Sequence, residues 1–150
     1  MIHIEIETDI PFSKSLLERV VSATLEHETK PADCELAIVL TDDARLHALN
    51  RDYLGIDSPT DVLSFPASET NPETGALYIG DILISIPRAQ AQADAASHPL
   101  AAEVQLLAVH GVLHLLGHDH AEAEEKALMW QAQAEILEKL GLGRIQIREE

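Results

Sequence analysis

The stretch His110-Gly111-Val112-Leu113-His114-Leu115-Leu116-Gly117-His118-Asp119-His120 decides how the rest of the chain is read. Two histidines four positions apart on a helix share a face, about 40° apart around the axis and one turn apart along it. At that spacing a rigid helix presents two imidazoles to one metal ion. Gly117 follows three residues later and readily takes the left-handed conformation that ends a helix. The chain then turns back and can bring His120 toward the same ion. Three protein nitrogens leave a fourth tetrahedral position open, as in a catalytic zinc site. The candidate ligands are His110, His114 and His120. His118 is the spare: it competes with His120, lines the site or hydrogen-bonds a neighbour.

A lone histidine on an apolar helix is usually a core residue, so the pattern must carry the inference. Four of the eight histidines fall within these eleven residues, and three of them follow an H-x3-H-x5-H spacing. The spacing matches the long zinc-protease signature H-E-x-x-H-x-x-G-x-x-H, with Gly111 where the glutamate stands. In those proteases the glutamate is the general base. Glycine carries no base, and a peptidase reading falls to second place.

The eleven residues also resemble the H-G-x-L-H-L-x-G-[YH]-D-H signature of the YbeY family, the bacterial rRNA maturation endoribonucleases. Leu49-Asn50-Arg51-Asp52-Tyr53 and Asp57-Ser58-Pro59-Thr60-Asp61-Val62-Leu63-Ser64-Phe65-Pro66 are similar to a second segment of that family. Gly80-Asp81-Ile82-Leu83-Ile84-Ser85 is similar to a third. The three occur in the family's order and span nearly the whole chain. The resemblance implies a zinc-dependent single-strand endoribonuclease acting in small-subunit rRNA 3′-end maturation and ribosome quality control. Its partners would be single-stranded rRNA and the small ribosomal subunit or its proteins. Leu54 departs from the pattern, standing where the family places an arginine thought to act in RNA cleavage.

With 150 residues the chain is expected to be one domain, 1–150, able to bury a core without staples. No apolar run reaches the ~18 residues of a membrane span, and the alternating start, Ile2-His3-Ile4-Glu5-Ile6, lacks the layout of a signal peptide. A single Cys34 cannot form an internal disulfide, which points to a reducing cytoplasm, and its apolar surroundings suit a buried small hydrophobe. The formal charge of −16, with only 10 Lys and Arg, opposes tight independent binding of RNA and favours weak, salt-sensitive contact or help from a protein partner.

Period-2 alternation predicts a strand over 2–7, and helical spacing with Ser13 as N-cap predicts a helix to about residue 28. A strand over 34–40 and a helix over 43–53, capped by Thr41-Asp42, follow. A turn over 55–59, a short strand over 60–65, a loop over 71–75 and a strand over 78–86 come next. That last strand is apolar on both faces over Ile82-Leu83-Ile84 and is expected at the centre of the sheet. Pro87 suits the first turn of a helix to about 96, His98-Pro99 breaks it, and the metal helix runs over 100–116. A final helix over 121–140 is expected to bury Leu128, Ala132, Ile136 and Leu140, leaving Trp130 half-exposed. The sum is a single α+β domain, a small mixed sheet of about four strands packed with helices.

No nucleophile elbow is present, so a bound metal must supply activated water or charge stabilisation. Zinc suits imidazole ligands, though other divalent transition metals are also accepted. Arg51, one helical turn before Leu54, is the local candidate cation for catalysis; the alternative is a surface arginine on a solvated face. Asp119 could orient a ligand histidine or cap the loop, and Asp81 could reach the site or end a turn. Two other functions stay open: a metal-dependent hydrolase of peptides or small molecules, and a non-catalytic ribosome assembly factor with a structural metal.

Overall fold

The computed structural model describes residues 2–143. Within them lie β1 (Ile2–Ile6), α1 (Lys14–His27), β2 (Glu35–Thr41), α2 (Asp43–Leu54), β3 (Val62–Thr70), β4 (Leu77–Ser85), α3 (Ile86–Ala96), α4 (Leu100–Leu115) and α5 (Ala123–Lys139). The four strands form one sheet in the order β1-β2-β4-β3. The first three of these neighbours run parallel, and β3 closes the edge as an antiparallel hairpin with β4. This is a mixed α+β sheet, with the apolar β4 inside it as the sequence predicts.

Alternation along the strands divides the interior in two. Leu36, Ile38, Leu40, Ile82 and Ile84 join the large core that α1, α4 and α5 cover. On the other face Leu63 and Leu83 meet Leu46 of α2, flanked by Val39, Leu49 and Phe65. The small second cluster holds α2 against β3 and so fixes where the 54–60 turn begins.

Twelve of the sixteen residues of α4 are buried, which makes it a core helix and not an amphipathic surface one. It packs on β3 and β4 and against α1, α3 and α5. At Gly111 that packing is close. A Cβ there would stand 2.8 Å from Ile82 Cγ2 and 3.1 Å from Ile82 Cδ1. Glycine at this position lets the metal helix approach the central strand.

Two expectations need correction. The strand predicted over 60–65 extends to Thr70, because the hairpin partner β4 continues the ladder past Pro66 at a register shift. Proline is tolerated there because β3 is an edge strand. On α5 the buried stripe is Met129, Ala132, Gln133, Ile136 and Leu137, while Leu128 is 62% exposed. Ala132, Ile136 and Leu140 are buried as expected and Leu128 alone is not: successive steps of four residues drift by about 40° each, so a stripe drawn only at i, i+4 leaves the buried face at its N-terminal end.

Candidate metal centre

The C-terminal half of α4 carries His110 and His114 on one face. The helix then ends in a left-handed glycine: Gly117 has φ 103°, its N–H donates to His114 O at 3.0 Å, and the His118 N–H donates to Leu113 O at 3.0 Å. This paired closure reverses the chain after one turn. It brings the His120 ring to 5.5 Å from that of His110 and 5.2 Å from that of His114. One ring nitrogen from each of His110, His114 and His120 lies within 4.8 Å of the others. Asp119 accepts the His120 backbone N–H at 2.7 Å, so it shapes the loop.

The donor set fits a metal ion. His110 Nδ1 donates to Gln133 Oε1 at 2.8 Å, which leaves Nε2 with a bare lone pair directed to His114 Nε2 at 3.1 Å. Two imidazole nitrogens so close need a proton or a cation between them. A tetrahedral zinc ion with bonds of 2.0–2.1 Å would hold its nitrogens about 3.3 Å apart. Burial pushes the His110 pKa down to about 4, and positive charge on His114 or His120 would oppose protonation further. Burial likewise lowers His114, with His120 adding to the effect. Both rings are therefore neutral at pH 7, the state a ligand requires.

The triad opens onto a cleft of about 500 Å³ walled by Asn50, Leu54 and Ile56, by Thr60 and Asp61, and by Val62 to Ser64 and Pro66 of β3. Buried Asp61 stands in this wall and accepts Gln92 Nε2 at 3.2 Å. Trp130 closes the α5 side, its ring 6.0 Å from His110 and 5.7 Å from His120. Among the described residues no Lys or Arg lines the cleft. Lys126 is nearby, held 5.7 Å over the Trp130 ring.

Of the residues singled out from the sequence, the three candidate ligands come together. His118 turns away from them and bonds Glu28 just past α1. Glu28 also takes His27 Nδ1 at 2.8 Å, and His27 Nε2 meets Glu135 of α5 at 2.8 Å. Asp81 receives the Tyr78 hydroxyl and lies outside the cleft wall. Arg51 is exposed on α2, paired with Asp52 at 3.0 Å, and does not line the cleft; Leu54 does. Sequence reasoning missed Gln133 and the packing of Trp130 on two ligand rings. The one signal for either was their position on the face of α5 next to buried Met129 and Ala132.

A family model described as Endoribonuclease YbeY matches residues 2–141. The chain belongs to the YbeY family. A YbeY endoribonuclease of Agathobacter rectalis is 40% identical, covering 93% of this chain and 96% of the relative. Another, from Pelotomaculum thermopropionicum, is 45% identical over 86% of this chain and 87% of the relative. A solution structure of a Thermotoga maritima protein superposes with a TM-score of 0.62 at 27% identity, covering 93% of this chain and 89% of that one. In this YbeY-family chain the position of Gly111 is explained by Ile82 behind it: the Cβ of a glutamate there would stand 2.8 Å from Ile82 Cγ2, so the buried Ile82 side chain would have to shift. Among the described residues no helix is long and apolar enough to cross a membrane.

Proposed function

We propose that this chain is a metal-dependent endoribonuclease that cuts single-stranded RNA, with one zinc ion held by His110, His114 and His120. The observation that carries the reading is the convergence of three imidazoles within 4.8 Å at an open cleft. The named relatives, endoribonucleases over most of their length, support it. Bound zinc supplies Lewis acidity for charge developing on a phosphoryl oxygen.

The chain's own residues do the rest. Gln133 fixes the His110 ring and its tautomer, as the outer hydrogen-bond partner of a metal-binding histidine does. Leu54, Ile56, Pro59 and Val62 give the cleft beside the imidazoles a largely apolar wall. Arg51, within one turn of Leu54, is the proposed cation for the RNA backbone, reaching the cleft mouth once its exposed pair with Asp52 opens. The proposed substrate is rRNA of the small ribosomal subunit near its 3′ end, in the cytoplasm, in keeping with the family.

Two observations favour a second reading, a non-catalytic assembly factor whose metal holds the α4–loop junction: Leu54 lines the cleft, and among the described residues no cation does. The test is metal analysis of the purified protein together with cleavage of single-stranded RNA, duplex RNA and an unfolded protein. The endoribonuclease reading expects about one zinc per chain and cleavage of single-stranded RNA alone. Full metal content with no RNA cleavage would support the second reading. Zinc-dependent proteolysis lost in His114→Ala would overturn both.

A further inference from the structure

Tyr53, Leu54 and Ile56 stand together at the C-terminal end of α2 and the turn after it, and they are 71%, 54% and 52% exposed. Single exposed apolar residues are ordinary, but three within four positions at the mouth of one cleft are not. The backbone that presents them is fixed. Gly55 takes φ 72°, its N–H returns to Arg51 O at 3.2 Å, and the Ile56 N–H returns to Asn50 O at 3.2 Å. Asn50 is buried and its side-chain Nδ2 donates to Ser58 O at 3.0 Å, tying the turn to its own far end. The Tyr53 ring rests edge-on against Phe65 of β3 at 5.9 Å and 69°, next to the cleft-lining Pro66. The rim therefore presents a pre-positioned aromatic ring beside two aliphatic side chains that line the histidine cleft.

Charge selects the occupant. The chain carries −16 overall, and the cleft wall offers no cation among the described residues. The side chains of Tyr53, Leu54 and Ile56 offer a phosphate no charge, whereas they suit the uncharged face of a nucleobase, because stacking on an aromatic ring needs no counter-charge. We propose that Tyr53, Leu54 and Ile56 form a nucleobase subsite, on which a base of single-stranded RNA stacks while its neighbouring phosphate lies at the histidines. This rests on the endoribonuclease reading and names how that site holds its substrate.

The test uses the full-length, zinc-loaded chain and measures dissociation constants for eight-residue oligoadenylate, for oligouridylate and for inorganic polyphosphate, which has no bases. Variants are Tyr53→Ala, Tyr53→Phe and the double change Leu54→Ser/Ile56→Ser, each checked for metal content and thermal midpoint. The subsite predicts that oligoadenylate binds more tightly than oligouridylate. Tyr53→Ala should weaken oligoadenylate about five- to 100-fold, with Tyr53→Phe within about twofold of wild type. The double change should also weaken it, and polyphosphate binding should not respond to any variant. Unchanged oligoadenylate binding by Tyr53→Ala overturns the subsite, as does an equal loss for polyphosphate. The two ideas fail differently. Wild type that cleaves single-stranded RNA with an indifferent Tyr53 removes the subsite alone, and wild type that neither binds nor cleaves RNA removes the endoribonuclease reading with it.

Discussion

Gly111→Ala puts one methyl group between the metal helix and the central strand. The added Cβ would lie 2.8, 3.1 and 3.2 Å from Cγ2, Cδ1 and Cγ1 of Ile82, a side chain with no exposed surface. Overpacking of this kind costs about 1–3 kcal/mol, against a gain of about 0.8–1 kcal/mol from replacing glycine inside a helix. The net effect should be a loss of up to about 2 kcal/mol. Because the two terms nearly balance, coupling is the sharper reading. Ile82→Ala removes all three clashing atoms and by itself should cost about 2–5 kcal/mol. Combined with Gly111→Ala it should cost about 1–3 kcal/mol less than the sum of the two single changes, because the new methyl enters the space that Ile82 vacates. Urea unfolding of the four proteins gives the cycle, and near the thermal midpoint each 1 kcal/mol appears as about 2–4 °C. Additivity within about 0.5 kcal/mol, or a Gly111→Ala protein more stable than wild type, would refute the close-approach account of this glycine.

Gln133→Leu removes the acceptor for His110 Nδ1 and should weaken zinc binding about 10–100-fold in a competition titration. In the metal-free protein, loss of the buried Gln133 Nε2, which has no partner, offsets part of the cost of leaving His110 Nδ1–H without its acceptor; equal zinc affinity would remove Gln133 from the site. The hydrogen bond to Glu135 raises His27 above its usual 6.5, against burial and with help from Glu28. Burial would raise Glu28, but His118 and His27 outweigh it and hold Glu28 below its usual 4.5. The His27 contribution is complete below the unfolded histidine value and is lost as pH rises through the raised folded one; the Glu28 contribution is present above about 4.5 and is lost on acidification. Glu135→Ala should therefore lower the thermal midpoint more at pH 5.5 than at pH 9, and equal losses would show that the pair contributes no charge interaction. Arg51→Ala should reduce RNA cleavage with metal content and fold intact, and Leu54→Arg should increase it; a fully active Arg51→Ala protein would return that residue to the solvated surface.

How much of this was legible beforehand follows from the range of each contact. The three ligands lie within eleven residues, so helix periodicity and one glycine stop were enough to bring them together. The centrality of β4 showed in Ile82-Leu83-Ile84, apolar on both faces. Gln133 is 23 positions from His110 and meets it only because α5 packs back on α4. The weak amphipathicity of α5 also left its buried stripe ambiguous, and Leu128 was placed inside where Met129 belongs. The absence of cations from the cleft was hidden for a similar reason. Arg51 and Leu54 are one turn apart on α2, yet only Leu54 reaches the wall, and no helical period alone says which side of α2 the cleft occupies.

The central claim is that His110, His114 and His120 hold one metal ion on which RNA cleavage depends. Its most direct test is to strip the protein of metal, return zinc in fractions of an equivalent, and follow the cleavage rate on a single-stranded rRNA fragment. The account predicts no cleavage by the stripped protein and a linear rise that levels at about one zinc per chain. His114→Ala should show no such recovery at one equivalent. Cleavage that survives metal removal, or zinc-restored cleavage undiminished in His114→Ala, would contradict the account.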